Sequence, residues 1–97
     1  MKVIYVDIDE TICETPNPRN YFNAKPLKGN IEKINKLYDD GHTIVYWTAR
    51  GSRTKINWYD LTKIQLNEWG AKHHELYVDK PYYDLFIDDK TLRIEEI

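Results

Sequence analysis

Two aspartates, Asp7 and Asp9, close the apolar run Ile4-Tyr5-Val6-Asp7-Ile8-Asp9-Glu10-Thr11. Alternate side chains of a strand share a face, so both carboxylates emerge together at the strand's carboxyl end. Like charges that close repel unless both are solvated, or a cation or proton is held between them. Acidic residues at a strand end are usually solvated loop residues, so the rest of the chain has to decide. Thr48 closes a second apolar run, Lys80 follows a third, and Asp88-Asp89 closes a fourth. Phosphoryl transfer calls for a carboxylate nucleophile and a second carboxyl group that protonates the leaving oxygen. It also needs a hydroxyl and an ammonium to hold the phosphoryl oxygens. Asp7, Asp9, Thr48 and Lys80 supply those groups. Asp7, Asp9, Asp88 and Asp89 gathered in one crevice would need a counter-charge. All-oxygen donors suit Mg²⁺, which keeps room for a substrate phosphate oxygen.

Those residues must be positioned by the elements that precede them. Residues 2–8 are β-branched and aromatic, which predicts a strand buried on both faces of a parallel sheet. Residues 10–29, with three prolines and no sustained period, read as a long flap or substrate loop. Asn30 is a candidate N-cap for a helix over 31–40, stopped by Gly41. Residues 42–48 predict a second strand, 54–69 a second helix ending at Gly70, and 75–79 and 84–88 two short strands. Residues 91–97 fit an edge strand or a frayed tail. The expected fold is one α/β domain over 1–97, Rossmann-like, with a mostly parallel sheet of four to five strands flanked by helices. Its carboxyl edge at the switch point is where such sheets bind ligands. One conflict stands: the Lys80-Pro81-Tyr82-Tyr83 link is far shorter than the roughly dozen residues a parallel crossover needs.

Composition narrows the partners. Fourteen basic against sixteen acidic residues give a net charge of −2, with no basic run, so no nucleic-acid or anionic-membrane footprint is present. Cys13 is the only cysteine, which excludes an internal disulfide. The first residues resemble neither a signal peptide nor a membrane span, so a cytoplasmic protein is expected. Three Trp and eight Tyr in a 97-residue chain leave aromatic surface for a homodimer. Were the C-terminal segment exchanged between protomers, Asp88 and Asp89 would reach a neighbour's Asp7.

In chain order, Asp7-Ile8-Asp9-Glu10-Thr11, Thr48, Lys80-Pro81 and Asp88-Asp89 resemble the four motifs of the haloacid dehalogenase (HAD) superfamily. Trp47-Thr48-Ala49-Arg50-Gly51 and the stretch from Asp79 to Lys90 resemble a small branch of phosphatases associated with capsular polysaccharide clusters. The resemblance covers nearly the whole chain. It implies that Asp7 attacks phosphorus to form an aspartyl-phosphate and that Asp9 acts as general acid and then base. Asp7, the Asp9 main-chain carbonyl and Asp88 would hold Mg²⁺, with Asp89 nearby. Thr48, Ala49, Arg50 and Lys80 would bind the substrate, a small phosphorylated metabolite such as a sugar phosphate. Two departures stand out. The family commonly has glycine where this chain has Glu10, and Lys90 competes with Lys80 for the phosphate-binding role. No stretch is long enough for a cap domain, so a mouth that is open, or closed by a partner subunit, is expected, with Arg19, Tyr21, Lys25 and Arg53 as further candidate contacts. Two other classes share these features: a receiver-like phospho-aspartate switch, and a binding protein on a decayed phosphatase fold. His73-His74 reads as a polar turn rather than a metal site, because no zinc-type spacing accompanies it.

Overall fold

The structure, a computed structural model, describes residues 1–17 and 20–97. Arg19 lies outside the described residues. In chain order the elements are β1 (Val3–Val6), β2 (Cys13–Glu14), β3 (Lys25–Pro26), α1 (Lys28–Asp39), β4 (Thr43–Trp47), α2 (Tyr59–Glu68) and β5 (Glu75–Tyr77). Single 3₁₀ turns lie at Tyr21–Asn23 and Ile94–Glu96. β1, β4 and β5 form a three-stranded parallel sheet in the order β1-β4-β5, with Ile4 opposite Ile44 and Tyr46 opposite Leu76. β2 and β3 pair antiparallel as a small ribbon within the expected long loop.

The helices begin and end for local reasons. α1 starts at Lys28, earlier than predicted, and Asn30 does not cap it. Its side-chain amide instead donates to the Thr11 carbonyl at 2.9 Å, tying the first turn to the loop after β1. The other end closes as a Schellman motif: Gly41 N–H reaches the Tyr38 carbonyl and His42 N–H reaches that of Leu37. Gly41 takes φ +100°, a conformation that would strain any side chain. α2 starts at Tyr59, later than predicted, because 51–54 form turns and Lys55 adopts φ +63°. No described helix is long and apolar enough to cross a membrane.

Two features of the predicted sheet are corrected. Successive right-handed crossovers in one strand direction put both helices on the same face. Ile4, Val6, Ile44, Tyr46 and Leu76 accordingly form one core with Ile31 and Ile34 of α1 and Leu66 of α2. The opposite face, with Val3 at 66% and Tyr5 at 56% exposure, carries no helix. β1 is thus an edge strand buried on one face, not a central strand buried on both. The second correction is the strand expected over 84–88, which does not form: that segment is exposed and pairs with nothing among the described residues. The described sheet therefore has three strands, not four or five.

The core holds one polar anomaly. Tyr46 is fully buried, and its hydroxyl has no hydrogen-bond partner among the described residues. Burial alone pushes that phenol's pKa up. Because an unpaired buried hydroxyl costs free energy that a matching apolar group does not, Tyr46→Phe is expected to raise stability by about 1 kcal/mol. Urea unfolding of the two proteins measures this; a loss of stability would mean that the hydroxyl has a partner.

Candidate active site

The sheet's carboxyl edge gathers the predicted residues from three strands. Asp7 and Asp9 lie just past β1, Thr48 follows β4, and Lys80 follows β5. Two main-chain bonds join the last two strand ends: Thr48 N–H to the Tyr77 carbonyl at 2.9 Å, and Lys80 N–H to the Thr48 carbonyl at 3.2 Å. Between them opens a cleft of about 480 Å³ lined by Asp7, Asp9, Glu10, Thr48, Ala49, Arg50 and Lys80, with Thr15, Asn17 and Pro81 to Tyr83 at its margins.

Lys80 Nζ lies 3.5 Å from Asp7 Oδ1 and faces the rings of Trp47 and Tyr83. Its stem is buried, and the Ser52 hydroxyl donates to its carbonyl. Lys90 is exposed and lines no part of the cleft, so Lys80 is the lysine beside the nucleophile candidate. Burial raises the Asp7 pKa; the Lys80 charge and the Ile8 amide oppose that, and the net shift is upward. Thr48 is buried, and its hydroxyl oxygen accepts the Arg50 N–H at 3.2 Å, which leaves the hydroxyl proton free to donate.

Arg50 is not where a substrate contact would be expected. It is 1% exposed, and its donors are directed inward. Nε and Nη2 grip the Asp9 carboxylate, at 3.0 Å to Oδ2 and 2.8 Å to Oδ1. Nη1 donates to Thr62 at 3.1 Å and to Gln65 at 2.6 Å on α2. Tyr21 stacks against the guanidinium, 4.7 Å from ring centre to Cζ. Gln65 in turn donates to the Tyr21 carbonyl at 2.6 Å. Arg50 thus forms the floor of the cleft and fixes Asp9; Tyr21 belongs to that support. Thr62 and Gln65 were not singled out from sequence, and a polar pair three residues apart on a helix otherwise marked only by its apolar positions is the one signal that could have found them.

Asp9 also accepts from Thr15 Oγ1 at 2.6 Å. Burial pushes its pKa up, but the Arg50 hydrogen bonds and charge, with Thr15 and Cys13, outweigh that and hold the carboxyl below its ordinary value. In this arrangement Asp9 is a carboxylate, suited to accepting a proton; donating one requires the Arg50 fork to open. The stabilisation from ionised Asp9 is complete above the unfolded value of about 3.9 and is lost as pH falls through the lowered folded value. Asp9→Asn is therefore expected to be less stable than the parent at neutral pH, with a flatter stability profile through that acid window. Urea midpoints of both proteins at neutral and acid pH read this; parallel profiles would assign the acid sensitivity to other groups.

Glu10, directly after Asp9, takes φ +63°. That left-handed turn costs a non-glycine residue roughly 1 kcal/mol. The side chain takes part in the loop, accepting the Thr15 N–H at 3.1 Å. Cys13 is buried beside Asp9, and burial, reinforced by that charge, pushes its thiol up to about 12, so it stays neutral. Arg53 lies over the Tyr82 ring at 4.7 Å, and Lys25 is exposed on β3. His73 and His74 occupy the turn between α2 and β5, where His74 Nδ1 accepts the Ile44 N–H at 3.0 Å.

The second acidic pair is not brought to this cleft. Asp88 and Asp89 are exposed on the tail and line no part of it, and the Asp89 N–H donates to the Asp88 carboxylate at 2.8 Å. Among the described residues, no three acidic, His or Cys side chains cluster as a metal site. Of the expected donors for Mg²⁺, Asp7 and Asp9 line the cleft, while Arg50 occupies the Asp9 carboxylate. The donor types fit a hard cation, but the set in one chain lacks a further carboxylate.

No family model matches the chain, and no curated protein matches it. Among solved structures it is similar to the crystal structure of a structural-genomics target from Vibrio cholerae. The two are 29% identical, with a TM-score of 0.88 over 99% of this chain and 86% of that one.

Proposed function

We propose that this protein is a cytoplasmic phosphatase of the HAD type that hydrolyses a small phosphorylated metabolite through an aspartyl-phosphate. The observation that carries the reading is Asp7 set 3.5 Å from Lys80 in an open polar cleft also lined by Thr48. Lys80 and the Thr48 hydroxyl hold the phosphoryl oxygens while Asp7 attacks phosphorus and the bond to the leaving oxygen breaks. The Lys80 charge opposes the burial that raises the Asp7 pKa. Asp9, held as a carboxylate by Arg50, accepts a proton from the water that hydrolyses the aspartyl-phosphate. To protonate the leaving oxygen beforehand, Asp9 must be released from Arg50 and take up a proton from solvent; the proton it later accepts from the water restores that state. Mg²⁺, when bound, would neutralise phosphate charge at Asp7 and the Asp9 carbonyl. Among the described residues no cap covers the cleft, which suits small substrates of varied shape, sugar phosphates among them.

The test is phosphate release from sugar phosphates, nucleotides and an aryl phosphate, with and without Mg²⁺. Release that requires Mg²⁺ and disappears in Asp7→Asn is expected. No release from any of these, with stable labelling of Asp7 by a small phosphoryl donor, would replace the hydrolase by a phospho-aspartate switch; neither release nor labelling would leave a binding protein.

A further inference from the structure

The site leaves three features unexplained. The outer edge of β1 has no ladder partner among the described residues. The exposed segment 84–89, Asp-Leu-Phe-Ile-Asp-Asp, has the composition of a strand but no partner, with Leu85 at 75% and Ile87 at 87% exposure. The cleft at the end of β1 lacks the carboxylates that this same segment carries. Among the described residues, the tail beyond Tyr83 is joined to the rest of the chain by one hydrogen bond, Lys33 Nζ to the Ile94 carbonyl at 3.3 Å, by Ile94 packed against the core and by Phe86 against Tyr83.

We infer that segment 84–89 of one chain pairs with the outer edge of β1 in a second copy, in parallel, and that its Asp88 and Asp89 complete that copy's cleft. Within one chain this pairing is blocked. Residues 78–83 leave the carboxyl end of β5 and cannot return to the amino end of β1, because a parallel crossover takes about a dozen residues or more. An antiparallel approach over the same short link would carry Asp88 toward the amino end of β1, away from Asp7. A second copy has no such limit. There the parallel arrangement sets Asp88 level with the end of β1, beside Asp7.

The exchange is reciprocal, so two copies close with twofold symmetry and leave neither outer edge of β1 unpaired. It also extends the sheet across Val3 and Tyr5 and places Leu85 and Ile87 against apolar surface. The similarity to the Vibrio cholerae crystal structure spans 99% of this chain, so it takes in the tail as well.

The inference about Asp88 and Asp89 rests on the phosphatase reading; the exchange itself does not. Light scattering of the full chain is expected to show a dimer. Leu85→Asp with Ile87→Asp, at positions exposed within one chain, is expected to give a folded monomer. A monomeric parent, or a dimer that survives both substitutions, would overturn the exchange whatever the activity. For the shared site, Asp7→Asn and Asp88→Asn/Asp89→Asn chains are co-expressed with different tags, and the heterodimer is assayed with an aryl phosphate and Mg²⁺. Each homodimer is expected to be inactive, and the heterodimer to recover about half the parent rate, since one of two symmetric sites is intact. An inactive heterodimer beside an active parent would overturn the shared site. A dimeric parent inactive on every substrate would refute the phosphatase reading and leave the exchange standing.

Discussion

Arg50→Ala is expected to destabilise the protein by about 3–5 kcal/mol, the range for removing one partner of a buried ion pair. The guanidinium is 1% exposed, and among the described residues it alone grips both Asp9 oxygens. Its removal strands a largely buried carboxylate, leaves the Gln65 carbonyl oxygen without its 2.6 Å donor, and opens a void beside Tyr21. A domain of this size has roughly 5–15 kcal/mol of stability in total, so the variant would unfold in dilute urea. Arg50→Lys is expected to rescue little, because one ammonium cannot span Asp9, Thr62 and Gln65 together. Combining Arg50→Ala with Asp9→Asn separates pair energy from packing: the double variant should lose less than the sum of the two single losses. A loss under about 1 kcal/mol for Arg50→Ala would show that the pair is solvated, as surface pairs are.

Asp7→Asn is expected to reduce phosphate release by about 10⁴-fold or more, the scale seen when a nucleophile is removed, while leaving the fold intact. Its effect on stability should be opposite to that of Asp9→Asn. Burial raises the Asp7 pKa in the folded protein above its unfolded value. The folded state therefore binds that proton more tightly, and stability falls as pH rises through the window above the ordinary carboxyl value. An amide has no such penalty, so the variant should be as stable as the parent or more stable at neutral pH. It should also be less sensitive to pH just above the carboxylate range. Phosphate release and urea midpoints on one preparation check both parts. Retained turnover would remove Asp7 as nucleophile, and a large loss of stability would assign it a structural role.

These two aspartates, two residues apart, separate what each level of description could reach. Their shared position past a strand was readable locally, because side-chain alternation in a strand depends on backbone geometry alone. Thr48 and Lys80 were readable in the same way, as polar residues that follow apolar runs. The opposite electrostatic characters of Asp7 and Asp9 were not. They depend on burial, which outweighs Lys80 at Asp7, and on Arg50, which outweighs burial at Asp9; both arise from residues brought close only by the order of the strands.

Arg50 shows the same divide. As a cation beside a glycine in a polar loop it fits a substrate contact, and nothing nearby in sequence indicates that it turns inward. Its burial needs Asp9 from the loop after β1, Thr62 and Gln65 from α2, and Tyr21 from the 3₁₀ turn, all at once. The segment 84–88 has strand-forming residues, but a parallel place beside β1 in the same chain needs a crossover longer than the short link after Lys80. Local patterning by itself determined the strand and helix types, the Gly41 stop and the residues at the sheet's carboxyl edge, because these follow from periodicity over a few residues. Only the tertiary structure decided which face the helices cover, where β1 lies in the sheet, and which cation each aspartate meets, because pairing and burial arise between residues distant in the chain.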